Sequence, residues 1–111
     1  MTDLTETSIG DLARLLDQGE IRSTDLVDAY RAKIEAQDGD FNAVAFLNPD
    51  ADEIAGALDH ERRASKTRGP LHGIPILVKD NIATGDAMMT SAGSLALDGV
   101  KAPSDGHVAA R

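Results

Sequence analysis

The order of apolar patterns along these 111 residues predicts an α/β layered fold. Three observations predict it. Two helical patterns open the chain, a third helical pattern follows a short apolar stretch at residues 42–47, and the run Ile76, Leu77, Val78 is apolar without alternation. A run of that kind is the pattern of a strand covered on both faces.

Each element has its own signal. In "SIGDLARLLDQGE" Ser8 can cap, Asp11 lies three residues on as in a capping box, and Ile9, Leu12, Leu15 and Leu16 share one face before Gly19 offers a stop. "STDLVDAYRAKIEAQ" predicts a second helix with Ser23 as its cap, Asp25 in the first turn and Leu26, Tyr30 and Ile34 four residues apart, ended by "DGD" at 38–40. Residues 42–47, within "FNAVAFLN", are too brief for a helix and predict a strand. In "NPDADEIAGALDHERRASKTRGP" Asn48 caps and Pro49 starts a third helix, with Asp50, Asp52 and Glu53 at its positive end. Its inner face is Ala51, Ile54, Ala55 and Leu58, and Arg62, Arg63 and Lys66 read as a solvated last turn rather than an anion site. A second strand follows, since Pro75 makes Ile74 extended and Ile76 to Val78 continue it. The glycine-rich remainder predicts loops, with a short turn at Ser94 to Leu97 and a helix from Gly106 capped by Ser104 or Asp105.

Composition excludes several function classes. The charge of −8 would repel a phosphate backbone, and Tyr30, Phe41 and Phe46 are too few to stack bases, so nucleic acid is a poor partner. With no cysteine there is neither a disulfide nor a thiolate metal site, and His60, His72 and His107 show no ligand spacing. No segment is apolar enough to cross a bilayer, and the acidic start lacks the apolar core of a signal peptide, so a cytoplasmic protein is expected.

The stretch "GPLHGIPILVKDNIAT" raises a chemical question, because its apolar run ends on Lys79 followed at once by Asp80. Such a lysine can be a surface residue past the last apolar position, or can snorkel its stem over the core. Alternatively it is a general base: burial disfavours an ammonium, and a neutral amine can take the proton of a hydroxyl nucleophile. Ser91 and Ser94 are present, and nothing in their spacing says that either reaches Lys79.

"GPLHGIPILVKDNIATGDAMMTSAGSLAL" resembles the N-terminal part of the amidase signature family, and "GEIRSTDLVDAYRAKIEAQDGDFNAV" is similar to that family's opening segment. The resemblance implies helices packed on a mixed sheet, and amide hydrolysis by a serine, cis-serine, lysine triad through an acyl-enzyme. It matches Lys79 to the catalytic lysine, gives Asp80 and Asn81 supporting roles beside it, and sets Met89 and Thr90 near the substrate as lining residues. It implies a small-molecule or peptide amide as substrate and no cofactor or metal. The amidase subunit of the tRNA-dependent amidotransferase shares the lysine motif.

The family's two serines lie in a glycine- and serine-rich signature downstream of the lysine, and the 111 residues contain no such stretch. Ser91 and Ser94 do not match them. Residues 1–111 are therefore expected to be the N-terminal segment of one amidase domain, incomplete as a sheet and inactive alone. An open sheet edge would then favour self-association. The reading from another class is a non-catalytic module that binds or regulates a partner.

Overall fold

A computed structural model describes residues 3–111, and the elements among them are helical. They are a 3₁₀ turn at Leu4–Glu6, helices α1 (Ile9–Asp17), α2 (Ser23–Phe41) and α3 (Ala51–Arg63), a 3₁₀ turn at Leu95–Leu97, and a short α4 (His107–Ala110). The expected mixed sheet is absent among the described residues: neither 42–47 nor 76–78 forms a strand. The reason is cooperative. An apolar run becomes a strand only when its amide and carbonyl groups find a partner's ladder, and composition cannot supply that partner. Ile76 and Leu77 are instead 68% and 74% exposed, so the pattern of a covered strand is present without its cover.

The chain divides into two compact units, one of residues 1–44 and 51–75, the other of residues 45–50 and 76–111. The first holds the apolar core: Leu12 and Leu16 of α1 and Leu26 of α2 are buried, with Leu4, Ile21, Tyr30 and Ile74 packed against them, and Ala55 of α3 is buried too. The predicted capping of α1 is present, with Ser8 Oγ accepting the Asp11 N–H at 3.2 Å. At its other end Gly19 (φ 72°) places its own N–H on Leu16 O at 3.1 Å and the Glu20 N–H on Leu15 O at 3.0 Å, the paired closure of a Schellman motif. Ile9 is the exception on the predicted face and is exposed.

Helix α2 departs from the expectation at both ends. Ser23 is the first helical residue and not the cap; Arg22 precedes the helix, and its N–H donates to Asp25 Oδ2 at 2.8 Å. The ion pair with Arg22 and this bond hold the Asp25 carboxyl below the usual carboxylate range. The N–H groups that open α2 are satisfied from α3, where the buried Asp59 accepts Ser23 N–H at 2.6 Å and Thr24 N–H at 3.2 Å. Ser23 Oγ is thereby free to donate to Gly73 O at 2.6 Å. At the far end the helix runs through "DGD" to Phe41, because Asp38 accepts the Ala43 and Val44 N–H groups at 2.8 and 3.2 Å while Asn42 turns left-handed at φ 51°.

Helix α3 starts later than Pro49: Asn48 Oδ1 accepts the Asp50 N–H at 3.0 Å in a turn, and the helix begins at Ala51. Its inner face is rotated from the predicted one, with Ala55 and Asp59 buried and Ile54 45% exposed. Arg62 is not a solvated residue either. It donates to Asp17 and, at 2.8 Å, to His72 O. The His72 ring is buried between the Arg68 N–H, accepted at 3.1 Å by Nδ1, and Leu58 O, 2.9 Å from Nε2. These contacts fix the loop that leads to Pro75. No helix among the described residues is long and apolar enough to cross a membrane.

Candidate functional site

The second unit contains every residue expected to carry chemistry. Lys79 is exposed, which corrects the picture of a lysine at the end of a buried strand, and it makes no ion pair among the described residues. Its backbone is fixed, because Lys79 O accepts the Ile82 N–H at 2.9 Å and closes a tight turn over residues 79–82. Asn81, within that turn, is exposed.

Asp80 organises what surrounds the lysine. Its Oδ1 accepts the Ser91 N–H at 3.1 Å, its Oδ2 accepts the Ser91 hydroxyl at 2.5 Å, and its carbonyl accepts the Ala92 N–H at 3.0 Å. The Ser91 hydroxyl bond, followed by the Ser91 N–H bond, pulls the Asp80 carboxyl below the usual carboxylate range. The residue that sequence reasoning set aside, Ser91, is thus buried on the neighbour of Lys79, and its Oγ in turn accepts the Gly93 N–H at 3.3 Å. Eleven residues separate the two partners, so no local periodicity could have announced the pair. Ser94 has a different part: its N–H donates to Ser91 O at 2.9 Å, and it occupies the cap position of the 3₁₀ turn at Leu95–Leu97, one residue shorter than the turn expected at Ser94 to Leu97.

Met89 and Thr90 lie on the stretch of loop that Ser91 anchors. The Thr90 N–H donates to Val100 O at 3.0 Å, and Met89 Sδ accepts the Gly99 N–H at 2.9 Å. Both side chains are half-buried, and Thr90 Oγ1 is buried with no hydrogen-bond partner. Downstream, Asp86 accepts the Thr84 hydroxyl at 3.0 Å and the Met88 N–H at 2.9 Å, while Asp105 accepts the Gly85 N–H at 2.7 Å. Asp105 therefore ties down a loop instead of capping α4, whose cap position is Gly106. Asp80, Asp86 and Asp105 thus accept from backbone or hydroxyl donors, and no group of three metal-binding side chains occurs among the described residues.

The Amidase family model matches residues 25–111, and the chain belongs to the amidase family. A solved relative, the peptide amidase from Stenotrophomonas maltophilia, superposes with a TM-score of 0.84 at 50% identity, covering 90% of this chain and 21% of its own. An amidase-like protein of Schizosaccharomyces pombe is 44% identical over 105 residues, 95% of this chain and 18% of that protein. One subunit of the glutamyl-tRNA(Gln) amidotransferase of Agrobacterium fabrum is 42% identical over 102 residues, 91% of this chain and 20% of its own length. The chain thus spans about a fifth of the length of these relatives.

Proposed function

We propose that these residues contribute the general base, Lys79, to an amidase domain several times their length that hydrolyses the C–N bond of a small-molecule or peptide amide. The observation that carries the reading is the family match, which runs through the "KDN" stretch and the loop anchored on it. In this reading Lys79 takes a proton from a bridging serine, which activates a second serine to attack the carbonyl. An acyl-enzyme forms, the amine leaves with the returned proton, and water releases the acid. Backbone N–H groups beside the nucleophile would hold the tetrahedral oxyanion. Both serines are supplied by residues outside these 111, so this piece alone has no triad turnover. Asp80 and Asn81 support the lysine, Met89 and Thr90 line the acyl side of the cleft, and the protein works in the cytoplasm without a cofactor.

The test is Lys79→Ala in the whole protein that contains these residues. With an amide panel assayed for ammonia release, kcat is expected to fall on the order of 10³-fold, the usual contribution of a positioned base. Lys79→Arg is expected to fall equally, because a guanidinium does not give up its proton. A kcat unchanged by Lys79→Ala would show that the lysine is not the base.

A second reading has its own observation, the 42% identity to a component of an amidotransferase. In that case nitrogen passes to an acceptor rather than being released to water. Release of free ammonia from simple amides in the absence of any acceptor or partner protein favours the hydrolase; its strict dependence on both favours the transferase.

A further inference from the structure

Three hydrogen bonds converge on one residue next to the proposed base. Asp80 accepts from Ser91 N–H and Ser91 Oγ through its carboxylate and from Ala92 N–H through its carbonyl, at 3.1, 2.5 and 3.0 Å. On the other side of the peptide bond, Lys79 O is held by the Ile82 N–H at 2.9 Å. The two held carbonyls flank the Cα of Asp80, so the peptide that joins Lys79 to Asp80 is pinned, and the lysine stem, whose tip is exposed, leaves the chain from the residue directly before that pinned one.

The loop that provides the clamp is itself in an unfavourable conformation. Ala92 has φ 52° and Gly93 φ 78°, successive left-handed residues of which the first is not glycine. Such a conformation persists where surrounding contacts over-determine it. Here Asp80 O takes the Ala92 N–H and Ser91 Oγ takes the Gly93 N–H, so the same hydroxyl that binds the carboxylate also holds the left-handed turn. Ser91, 5% exposed, is shut away from water that would compete for it.

We propose that Asp80 and Ser91 act as one positioning latch, which fixes the direction of Lys79 and the course of the Met89–Thr90 loop together. Neither residue exchanges a proton with substrate. The latch rests on the reading of Lys79 as the base, and it adds to that reading a residue with no counterpart among the family's catalytic serines. Its consequence is that the base and the acyl-side lining cannot move independently: loosening one end releases the other.

The experiment uses the whole protein with Asp80→Ala, Asp80→Asn, Ser91→Ala and the double variant Asp80→Ala/Ser91→Ala, beside Lys79→Ala. Asp80→Ala and Ser91→Ala are each expected to lower kcat at least tenfold with KM changed less than kcat. The double variant is expected to be no worse than Asp80→Ala alone, since both members belong to one unit. Asp80→Asn, whose amide oxygen can still accept the Ser91 N–H, is expected to recover most of the loss; a merely structural charge would show no such recovery at equal melting temperature. Hydrogen exchange at the Ser91 and Ala92 amides, read in the same proteins, is expected to quicken at least tenfold in Asp80→Ala and to stay unchanged in Lys79→Ala.

Exchange and kcat both within twofold of the parent in Ser91→Ala would overturn the latch, and so would fully multiplicative losses in the double variant. If Asp80→Ala does not fold, Ser91→Ala and Asp80→Asn carry the same comparison. An active Lys79→Ala with quickened exchange in the Asp80 variants would remove the base assignment, and with it the positioning role. Inactive Lys79→Ala with unmoved Asp80 and Ser91 variants would remove the latch alone.

Discussion

Asp59 shows how much a single side chain can decide. It shares with Ala55 the buried face of α3, rotated from the one periodicity predicts, and it is buried because the N-terminus of α2 brings it two N–H donors at 2.6 and 3.2 Å. A carboxylate there faces the positive end of the helix and completes its cap from another element. Replacing it with alanine leaves both donors without a partner, and one of them, on Ser23, is buried. Asp59→Ala is therefore expected to cost about 1–3 kcal/mol, read as a lowered urea midpoint, whereas Asp52→Ala at an exposed ion pair should change stability by less than about 1 kcal/mol. Equal effects from the two would mean that the cap contributes no more than surface charge. The sequence displays Asp59 as one acid among many. Its partner is 36 residues away, and only folding brings the two together.

Among the elements, α1 was the most legible. Its cap, its apolar face and its glycine stop are all local features, readable within a dozen residues, and the structure places Ser8, Leu12, Leu16 and Gly19 accordingly. Two glycines in this short region are expected to respond with opposite sign. Gly19 is left-handed at φ 72°, so Gly19→Ala should destabilise by about 1 kcal/mol although nothing obstructs the added methyl. Gly10 lies in the first turn of α1 with open space around it, and Gly10→Ala should stabilise by about 0.5 kcal/mol through a less free unfolded chain. Thermal melts of the two variants that shift in the same direction would contradict this account of the Schellman closure. The predicted strands failed at this same scale. Their apolar runs are real, but a strand is a relation between two segments, and neither 42–47 nor 76–78 has a ladder partner among the described residues. With no sheet among the described residues there is no sheet edge among them to carry the expected self-association, although Ile76 and Leu77 of the run that suggested it are exposed.

For the whole molecule, burial is unequal. The buried apolar side chains, Leu12, Leu16, Leu26 and Ala55, all fall in the unit of residues 1–44 and 51–75, whereas the buried residue of the other unit is the polar Ser91. Stability follows buried apolar surface, so the two units should open with different free energies. Native-state hydrogen exchange on this 111-residue chain is expected to protect α1 and the first half of α2 most strongly and residues 95–111 least. A single cooperative transition, with the same opening free energy in both units, would refute it.

Sequence alone was enough for what depends on neighbours along the chain. It determined the N-cap and stop of α1, the short turn expected at Ser94 to Leu97 and found at Leu95–Leu97, and the motif around Lys79 within the stretch that matches the amidase family. Tertiary structure decided what depends on residues far apart: that Ser23 bonds Gly73 instead of capping, that Asp59 caps α2 across the fold, and that Ser91 closes on Asp80 beside the lysine. The division has one physical cause. Helix caps and turns are satisfied within a few residues, so their chemistry is written locally, whereas a buried hydroxyl or carboxylate needs a partner that only chain folding delivers.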